Sequence, residues 1–227
     1  PLPSARVLLI DIHGEYGPAL SDVAKTFSIL PSGENQLYIP FWCISPDKLI
    51  EFLCNNPNDS QRSLFMDKTV DEKRLGIKWN NIKNIDPEKI TSNTPLPYRL
   101  KKLWYDLCHE DSINYNDNAM ATPAYAPNGE GSFDDLIAPK FLPPGAGTAL
   151  PKKGGTGAMK RQLDLMKSRL LDTQYSFLLE PGDWNPDKDG KIKEDLDGLL
   201  EEWLGHDKPI TIFDLSGMPS ARLTLLL

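Results

Sequence analysis

The sequence predicts an α/β fold in which a mostly parallel sheet is interrupted by a largely helical insertion. Two short apolar runs support this, at residues 6–12 and 210–215, and each ends in an aspartate followed by a turn of small residues. Uninterrupted apolar runs of this length are typical of strands buried on both faces of a parallel sheet. Helical periodicity dominates residues 45–170. We therefore expect both strands in one parallel sheet, with residues 45–170 mostly outside it.

The first third of the chain contains the predicted central strand at residues 6–12 and the start of the insertion. Residues 21–27 are predicted as a short helix, and residues 37–39 as an extended piece. A helix is expected after Ser45, because serine favours the N-cap position and the proline that follows it favours the first turn. A second helix is expected at residues 60–75, with Leu75 among its inward-facing side chains.

A helix, a long irregular stretch and three shorter elements precede the final strand. The irregular stretch, residues 112–153, is rich in proline and glycine, and so long a piece without regular structure indicates an insertion or a mobile segment. The regular elements predicted in this part are a helix at 97–110, a helix at 156–171, a strand at 175–179 and a helix at 195–204 with Leu196, Leu199, Leu200 and Trp203 on its apolar face.

Composition excludes several classes of protein. The 227 residues have a net charge of −7, which argues against a dedicated DNA-coating protein, because neutralising phosphates requires clustered lysine and arginine. We find no signal peptide and no apolar run long enough to cross a membrane, so no membrane association is expected. Three cysteines without a Cys-x-x-Cys pair favour a reducing, cytoplasmic setting, and we expect no metal site built by this chain alone.

Polar side chains follow both predicted sheet strands. Asp11, His13 and Glu15 end the first strand, and Asp214 and Ser216 end the last. Ligands of open α/β sheets bind at the carboxyl ends of strands, so these residues are candidates for one crevice. The alternative is a simple strand-end turn in which Glu15 caps the next helix.

Basic residues are concentrated in one stretch, at Lys152, Lys153, Lys160 and Arg161. Such a group usually marks the solvated face of a helix. The more specific interpretation is a surface that faces DNA or a neighbouring subunit.

Two motifs of the chain resemble the HerA/FtsK family of DNA-translocating ATPases. Residues 11–16, DIHGEY, are similar to the D-x-H-G-E-Y motif that follows an early core strand in the family, and residues 214–219, DLSGMP, are similar to its strand-plus-DLSG-x-P segment. The motifs occur in the family's order, and residues 38–42, YIPFW, match more weakly. The resemblance implies a RecA-like core, a hexameric ring acting on double-stranded DNA, and ATP with Mg²⁺ as cofactors.

The resemblance also implies roles for the candidate residues. Asp11, His13 and Glu15 would lie near the γ-phosphate, where an acid could orient water or act as a base and His13 could sense phosphate. Asp214 and Ser216 would lie near the same nucleotide. HerA-type rings commonly carry a nuclease or effector protein, which implies such a partner and a role in DNA-end processing or anti-phage defence.

The phosphate-binding part of such an ATPase is missing from this sequence. Residues 154–160 are rich in glycine, but the sequence contains no G-x-x-x-x-G-K-[ST] loop and no Walker B strand after Asp214. We therefore interpret the chain as an internal segment of the ATPase, inactive by itself. Residues 1–44 and 171–227 would belong to the RecA-like core, and residues 45–170 would be the insertion.

Two other classes of function compete with this interpretation. The chain could be a non-catalytic module for assembly or partner binding, with the helical insertion as its contact surface. It could also be an unrelated hydrolase that uses Asp11 and His13 with Ser216 as nucleophile. The second alternative is disfavoured because the sequence around Ser216 lacks the Gly-x-Ser-x-Gly elbow.

Overall fold

The computed structural model of the chain describes residues 5–30, 33–146, 150–151 and 157–218. Helices and strands alternate in the first part of the chain, helices dominate the middle, and the last helices are followed by one strand. In chain order the elements are β1 (Val7–Asp11), α1 (Tyr16–Ala19), β2 (Ala24–Ser28), α2 (Pro46–Cys54), α3 (Asp59–Trp79), α4 (Leu100–Ser112), β3 (Asn114–Tyr115), β4 (Leu150–Pro151), α5 (Lys160–Leu170), α6 (Ser176–Leu179), α7 (Leu196–Leu204) and β5 (Ile210–Asp214).

The chain folds into two compact units. The first, which we call the sheet unit, comprises the described residues of Pro1–Ile44, Gln174–Asn185 and Ile192–Leu227. The second, the helical unit, comprises those of Ser45–Thr173 and Pro186–Lys191. The interpretation of residues 45–170 as an insertion into an ATPase core stays a prediction.

The sheet unit contains a three-stranded parallel sheet in the order β1-β5-β2. Leu9 of β1 and Thr26 of β2 both align with Ile212 of β5, which lies between the two strands. The α/β fold is therefore confirmed, and so is the prediction that residues 6–12 and 210–215 form strands of one parallel sheet.

β1 is exposed to a degree that the sequence did not indicate. Its side chains Val7, Leu8 and Ile10 have exposed fractions of 51%, 48% and 46%, so the prediction of a strand buried on both faces is wrong for the described structure. The reason is that within the described residues β5 alone pairs with β1, which makes β1 an edge strand. Apolar side chains on both faces of an edge strand are unusual, because such a strand can pair with another chain.

Two short elements of the sheet unit differ in type from the prediction. Residues 21–27 were expected to form a helix, but they form a turn and then β2. Residues 175–179 were expected to form a strand, but they complete a 3₁₀ turn at Thr173–Tyr175 and form α6. Both predictions were wrong because short apolar runs lack enough residues to distinguish a period of 3.6 from a period of 2.

One part of the core of the sheet unit is a cluster in which aromatic rings pack edge to face. The rings of Phe27 and Phe213 are 6.3 Å apart between centroids, and Trp203 of α7 lies 4.8 Å from Phe213. Burying one such ring stabilises a fold by about 2 kcal/mol. Leu199 of α7 is also buried, but Leu200 is exposed, so its predicted inward orientation is wrong. The reason is that consecutive residues of a helix point about 100° apart.

The helical unit is built around α4, which packs against both α3 and α5. The apolar side chains of α4 form a buried stripe, made of Leu100, Leu103, Trp104, Leu107 and Cys108. The indole nitrogen of Trp104 donates a hydrogen bond to the carbonyl of Leu163 in α5 at 3.0 Å. α3 begins with a capping box in which Asn58 and Gln61 exchange hydrogen bonds. Leu75 of α3 is exposed, contrary to the prediction.

The stretch predicted as irregular, residues 112–153, contains short antiparallel pairings. β3 pairs with β4, and isolated bridges join Tyr125 to Phe141 and Ser132 to Ile137. The imidazole of His109 in α4 lies 3.0 Å from the Tyr125 hydroxyl, which links the helix to these bridges. The described part of this stretch therefore has defined turns and bridges, although its regular elements are very short.

Candidate active site

The three strands of the sheet end in register at three polar residues. Asp214 at the end of β5 aligns with Asp11 of β1 on one side and with Ser28 of β2 on the other. Residues aligned on neighbouring parallel strands lie on the same face of a sheet. Asp11, Asp214 and Ser28 thus form a row at the carboxyl edge, where open α/β sheets bind ligands.

Asp11 organises the turn that follows β1. Its side chain is buried, and Oδ1 accepts hydrogen bonds from the backbone N–H groups of His13 (3.2 Å) and Gly14 (2.8 Å), while Oδ2 accepts one from Tyr16 (2.9 Å). Burial raises the pKa of the carboxyl, but the backbone N–H groups of Tyr16, Gly14, His13 and Glu15 outweigh it and hold the pKa below its usual value. The carboxylate of Asp11 is therefore an internal acceptor of the turn.

His13 and Glu15 have exposed side chains on the same turn. Glu15 occupies the N-cap position of α1, but its side chain makes no capping hydrogen bond. The N–H of Tyr16, in the first turn of α1, is bound by Asp11 instead. The structure therefore does not show the capping role that was the alternative interpretation of Glu15.

The turns after β1 and β5 are in contact. Gly14 has a φ of +75°, a value that glycine adopts without strain. A Cβ atom added to Gly14 would lie 2.9 Å from Oγ and 3.0 Å from Cβ of Ser216, and the N–H of Leu215 donates to the Asp11 carbonyl at 2.8 Å. The structure thus brings together the two motifs, which are about 200 residues apart in the sequence.

Each carboxylate oxygen of Asp214 accepts a hydrogen bond. Oδ1 accepts from the backbone N–H of Ser216 at 2.9 Å, and Oδ2 accepts from the hydroxyl of Ser28 at 3.2 Å. Ser28 was not among the predicted site residues, because residues 21–27 were interpreted as a helix. Recognising β2 as a strand would have identified Ser28, because a strand that ends at Ser28 contributes to the same sheet edge as Asp11 and Asp214.

A cavity of about 590 Å³ lies beside this row, on the side of β2. Gly14, Ser28, Gly33, Asn35 and Asp214 line the part nearest the strand ends. Small and polar side chains leave room there for the polar groups of a ligand. The cavity belongs entirely to the sheet unit.

The basic candidates lie elsewhere in the chain. Lys160 and Arg161 are exposed at the start of α5 in the helical unit, and Lys152 and Lys153 lie outside the described residues. The part of the chain described here contains no cluster of three or more histidine, cysteine or acidic residues that could hold a metal. Among the described helices, none combines the length and the apolar character that crossing a bilayer requires.

Comparison with known proteins supports the motif assignments. The family model described as "Helicase HerA, central domain" matches residues 2–227. A comparison with curated proteins finds no match. Since the family model covers nearly all of the sequence, the chain belongs to the HerA helicase central-domain family.

Proposed function

We propose that the complete protein is a hexameric HerA-type ATPase that translocates or unwinds double-stranded DNA, and that this chain forms one wall of its nucleotide site. The observation that carries the proposal is the contact between the two turns at the carboxyl edge of the sheet, Asp11 to Glu15 and Asp214 to Ser216. Family membership supports an ATPase. Ring formation and DNA translocation are parts of the proposal.

Some residues of the site would position others, and others would bind the nucleotide or take part in its hydrolysis. Asp11 holds the turn through its hydrogen bonds to backbone N–H groups, so that His13 and Glu15 are presented to solvent. Glu15 would orient the attacking water or accept its proton, a role worth about 10²–10⁴ in rate. His13 would contact the γ-phosphate. Asp214 and Ser216, which lie next to Gly14, would bind the nucleotide.

The side chains present fit a nucleotide-bound Mg²⁺. Mg²⁺ at phosphate sites usually takes one or two protein carboxylates, with phosphate oxygens and water completing its octahedron. Glu15 and Asp214 offer such carboxylates, whereas a cage of three or more ligands is absent from the described residues. When bound, the ion would neutralise phosphate charge. The phosphate-binding lysine would come from a loop that this sequence does not contain.

DNA contact would involve the basic stretch of the helical unit. Lys160 and Arg161 are exposed at the first turn of α5, and Lys152 and Lys153 are close to them in sequence. Four cations would contribute several phosphate contacts, whose strength falls steeply with salt. We place the protein in the cytoplasm, since three cysteines without a Cys-x-x-Cys pair favour a reducing compartment, and we propose a role in DNA-end processing or anti-phage defence.

A second candidate function is a non-catalytic assembly or partner-binding module. The observation in its favour is the exposed apolar surface of β1, formed by Val7, Leu8 and Ile10. In an ATPase core, further strands would cover this edge. In an assembly module, a partner such as a nuclease or effector protein would cover it.

ATP turnover by the complete protein separates these two functions. We expect Mg²⁺-dependent hydrolysis that double-stranded DNA stimulates, and salt-sensitive DNA binding that weakens when Lys160 and Arg161 are both changed to Gln. An exposed pair of the opposite charge, Asp197 and Glu201 of α7, changed to Asn and Gln, serves as a control for general charge effects. Absence of ATP binding by the complete protein would favour the assembly module.

A further inference from the structure

Ser28 occupies a junction between the sheet and the loop that follows β2. Its side chain is buried, and its hydroxyl donates a hydrogen bond to Oδ2 of Asp214 at 3.2 Å. The Oγ atom of Ser28 also accepts a hydrogen bond from the backbone N–H of Leu30, again at 3.2 Å. A serine hydroxyl has a single proton, so a hydroxyl that accepts from Leu30 directs this proton towards Asp214.

The backbone around Ser28 leaves this side chain little freedom. The N–H of Ser28 donates to the Asn35 carbonyl at 2.9 Å, and its carbonyl accepts from Leu37 at 2.8 Å. Gly33 lies directly over it, since a Cβ atom added to Gly33 would be 2.7 Å from Cβ of Ser28. The hydroxyl is therefore held at the end of β2 by the strand, the loop and a close glycine.

The carboxylate of Asp214 is oriented by donors on both oxygens. The backbone N–H of Ser216 binds Oδ1 at 2.9 Å, and the Ser28 hydroxyl binds Oδ2. With the Ser28 donor removed, rotation of the carboxylate about its terminal bond is opposed only by the hydrogen bond from Ser216.

We propose that Ser28 is a positioning residue that sets the orientation of the Asp214 carboxylate at the nucleotide site and couples it to the loop after β2. This inference rests on the proposed ATPase function. In this role Ser28 acts through Asp214. Ser28 is connected to this loop by hydrogen bonds with the backbone of Leu30 and of Asn35.

The competing account is that Ser28 only fills space under Gly33. Two substitutions separate the accounts in the complete protein. Ser28→Ala removes both the oxygen and its volume, whereas Ser28→Cys keeps a side chain of similar shape with a much weaker donor. If the hydrogen bond from Ser28 to Asp214 matters, both variants should lower the single-turnover rate of ATP hydrolysis about ten- to hundredfold, and by a larger factor than they weaken ATP binding.

A double-mutant cycle with Asp214→Ala tests whether Ser28 acts through the carboxylate. We expect that Ser28→Ala changes the single-turnover rate less than about twofold when Asp214 is already alanine, because the group it orients is gone. The rate is measured with enzyme in excess over ATP, so that the single-turnover rates of slow variants can be determined. Ser63→Ala, at an exposed position of α3, is the matched control and should leave the rate and the melting temperature unchanged.

Four results would overturn the inference. A normal rate in Ser28→Ala would show that Asp214 needs no such donor, and a normal rate in Ser28→Cys with a defective alanine variant would show a role in packing. Equal effects of Ser28→Ala with and without Asp214 would show that the two residues act independently. Absence of turnover in the unaltered complete protein would overturn the proposed function, and this inference with it.

Discussion

Replacement of Asp11 by asparagine tests the physical basis of the turn that presents Glu15. The asparagine side chain would keep one carbonyl oxygen for His13 and Gly14 but would turn an amide N–H₂ towards the N–H of Tyr16. One hydrogen bond to a charged acceptor is then lost, and two others become bonds to a neutral oxygen. A bond to a charged group contributes about 1.5–3 kcal/mol, so we expect a loss of about 2 kcal/mol in the free energy of unfolding.

The loss should depend on pH in a defined direction. The backbone N–H groups lower the pKa of Asp11 in the folded chain relative to its ordinary value of 3.8. A group with a depressed folded-state pKa stabilises the fold above its unfolded-state pKa, and this contribution disappears as the pH falls through the folded-state pKa. The difference between the native chain and Asp11→Asn should be largest near neutral pH and should shrink progressively below the ordinary pKa.

Thermal unfolding of this chain measures the effect directly. For a domain of this size, a change of about 2 kcal/mol corresponds to a decrease of about 4–8 °C in the melting temperature. Glu15→Gln removes a charge from the same turn at an exposed position and is the matched control, with no expected change in melting temperature. An unchanged melting temperature in Asp11→Asn, or a difference that is equal at neutral and strongly acidic pH, would refute the reasoning.

Three further predictions concern the same edge of the sheet. In the complete protein, Glu15→Gln should lower the ATP turnover number by about 10²–10⁴ and leave ATP affinity nearly unchanged; normal turnover would remove Glu15 from the site. The isolated chain should hydrolyse ATP no faster than a buffer blank, because it lacks the phosphate-binding loop, and steady turnover lost on changing Glu15 would contradict the segment interpretation. Gly14→Ala should lower the free energy of unfolding, measured by urea denaturation, by about 1–3 kcal/mol. Alanine is strained at a φ of +75°, and its methyl group would meet Ser216. Gly145→Ala is the control that separates backbone strain from this contact, because Gly145 has a φ of +85° with open space around it.

Local sequence signals determined much of the architecture. The apolar runs at residues 6–12 and 210–215 predicted two parallel strands, and the polar residues after them predicted the carboxyl edge as the site. The helices of the helical unit were also predictable, since α2 carries a clear start signal and α4 a sustained apolar stripe. In each case the information lies within one element, in the period of its apolar residues or in its capping positions.

The features that the sequence did not predict depend on strand pairing across the sheet. β2 could not be identified from five residues, and with it Ser28 was missed, because its role depends on its register with Asp214. The burial of β1 was overestimated, since the apolar character of a strand does not reveal how many neighbours cover it.

The sequence by itself determined which residues could form a site, namely the acids, the glycine and the serine that follow two strands. Tertiary structure alone decided which groups each of these residues contacts. Asp11 faces inward onto backbone N–H groups, whereas Glu15, four residues later, faces solvent. The physical reason is that the packing of segments far apart in the sequence determines which groups a side chain contacts. Here the turn after β1 packs against the turn after β5.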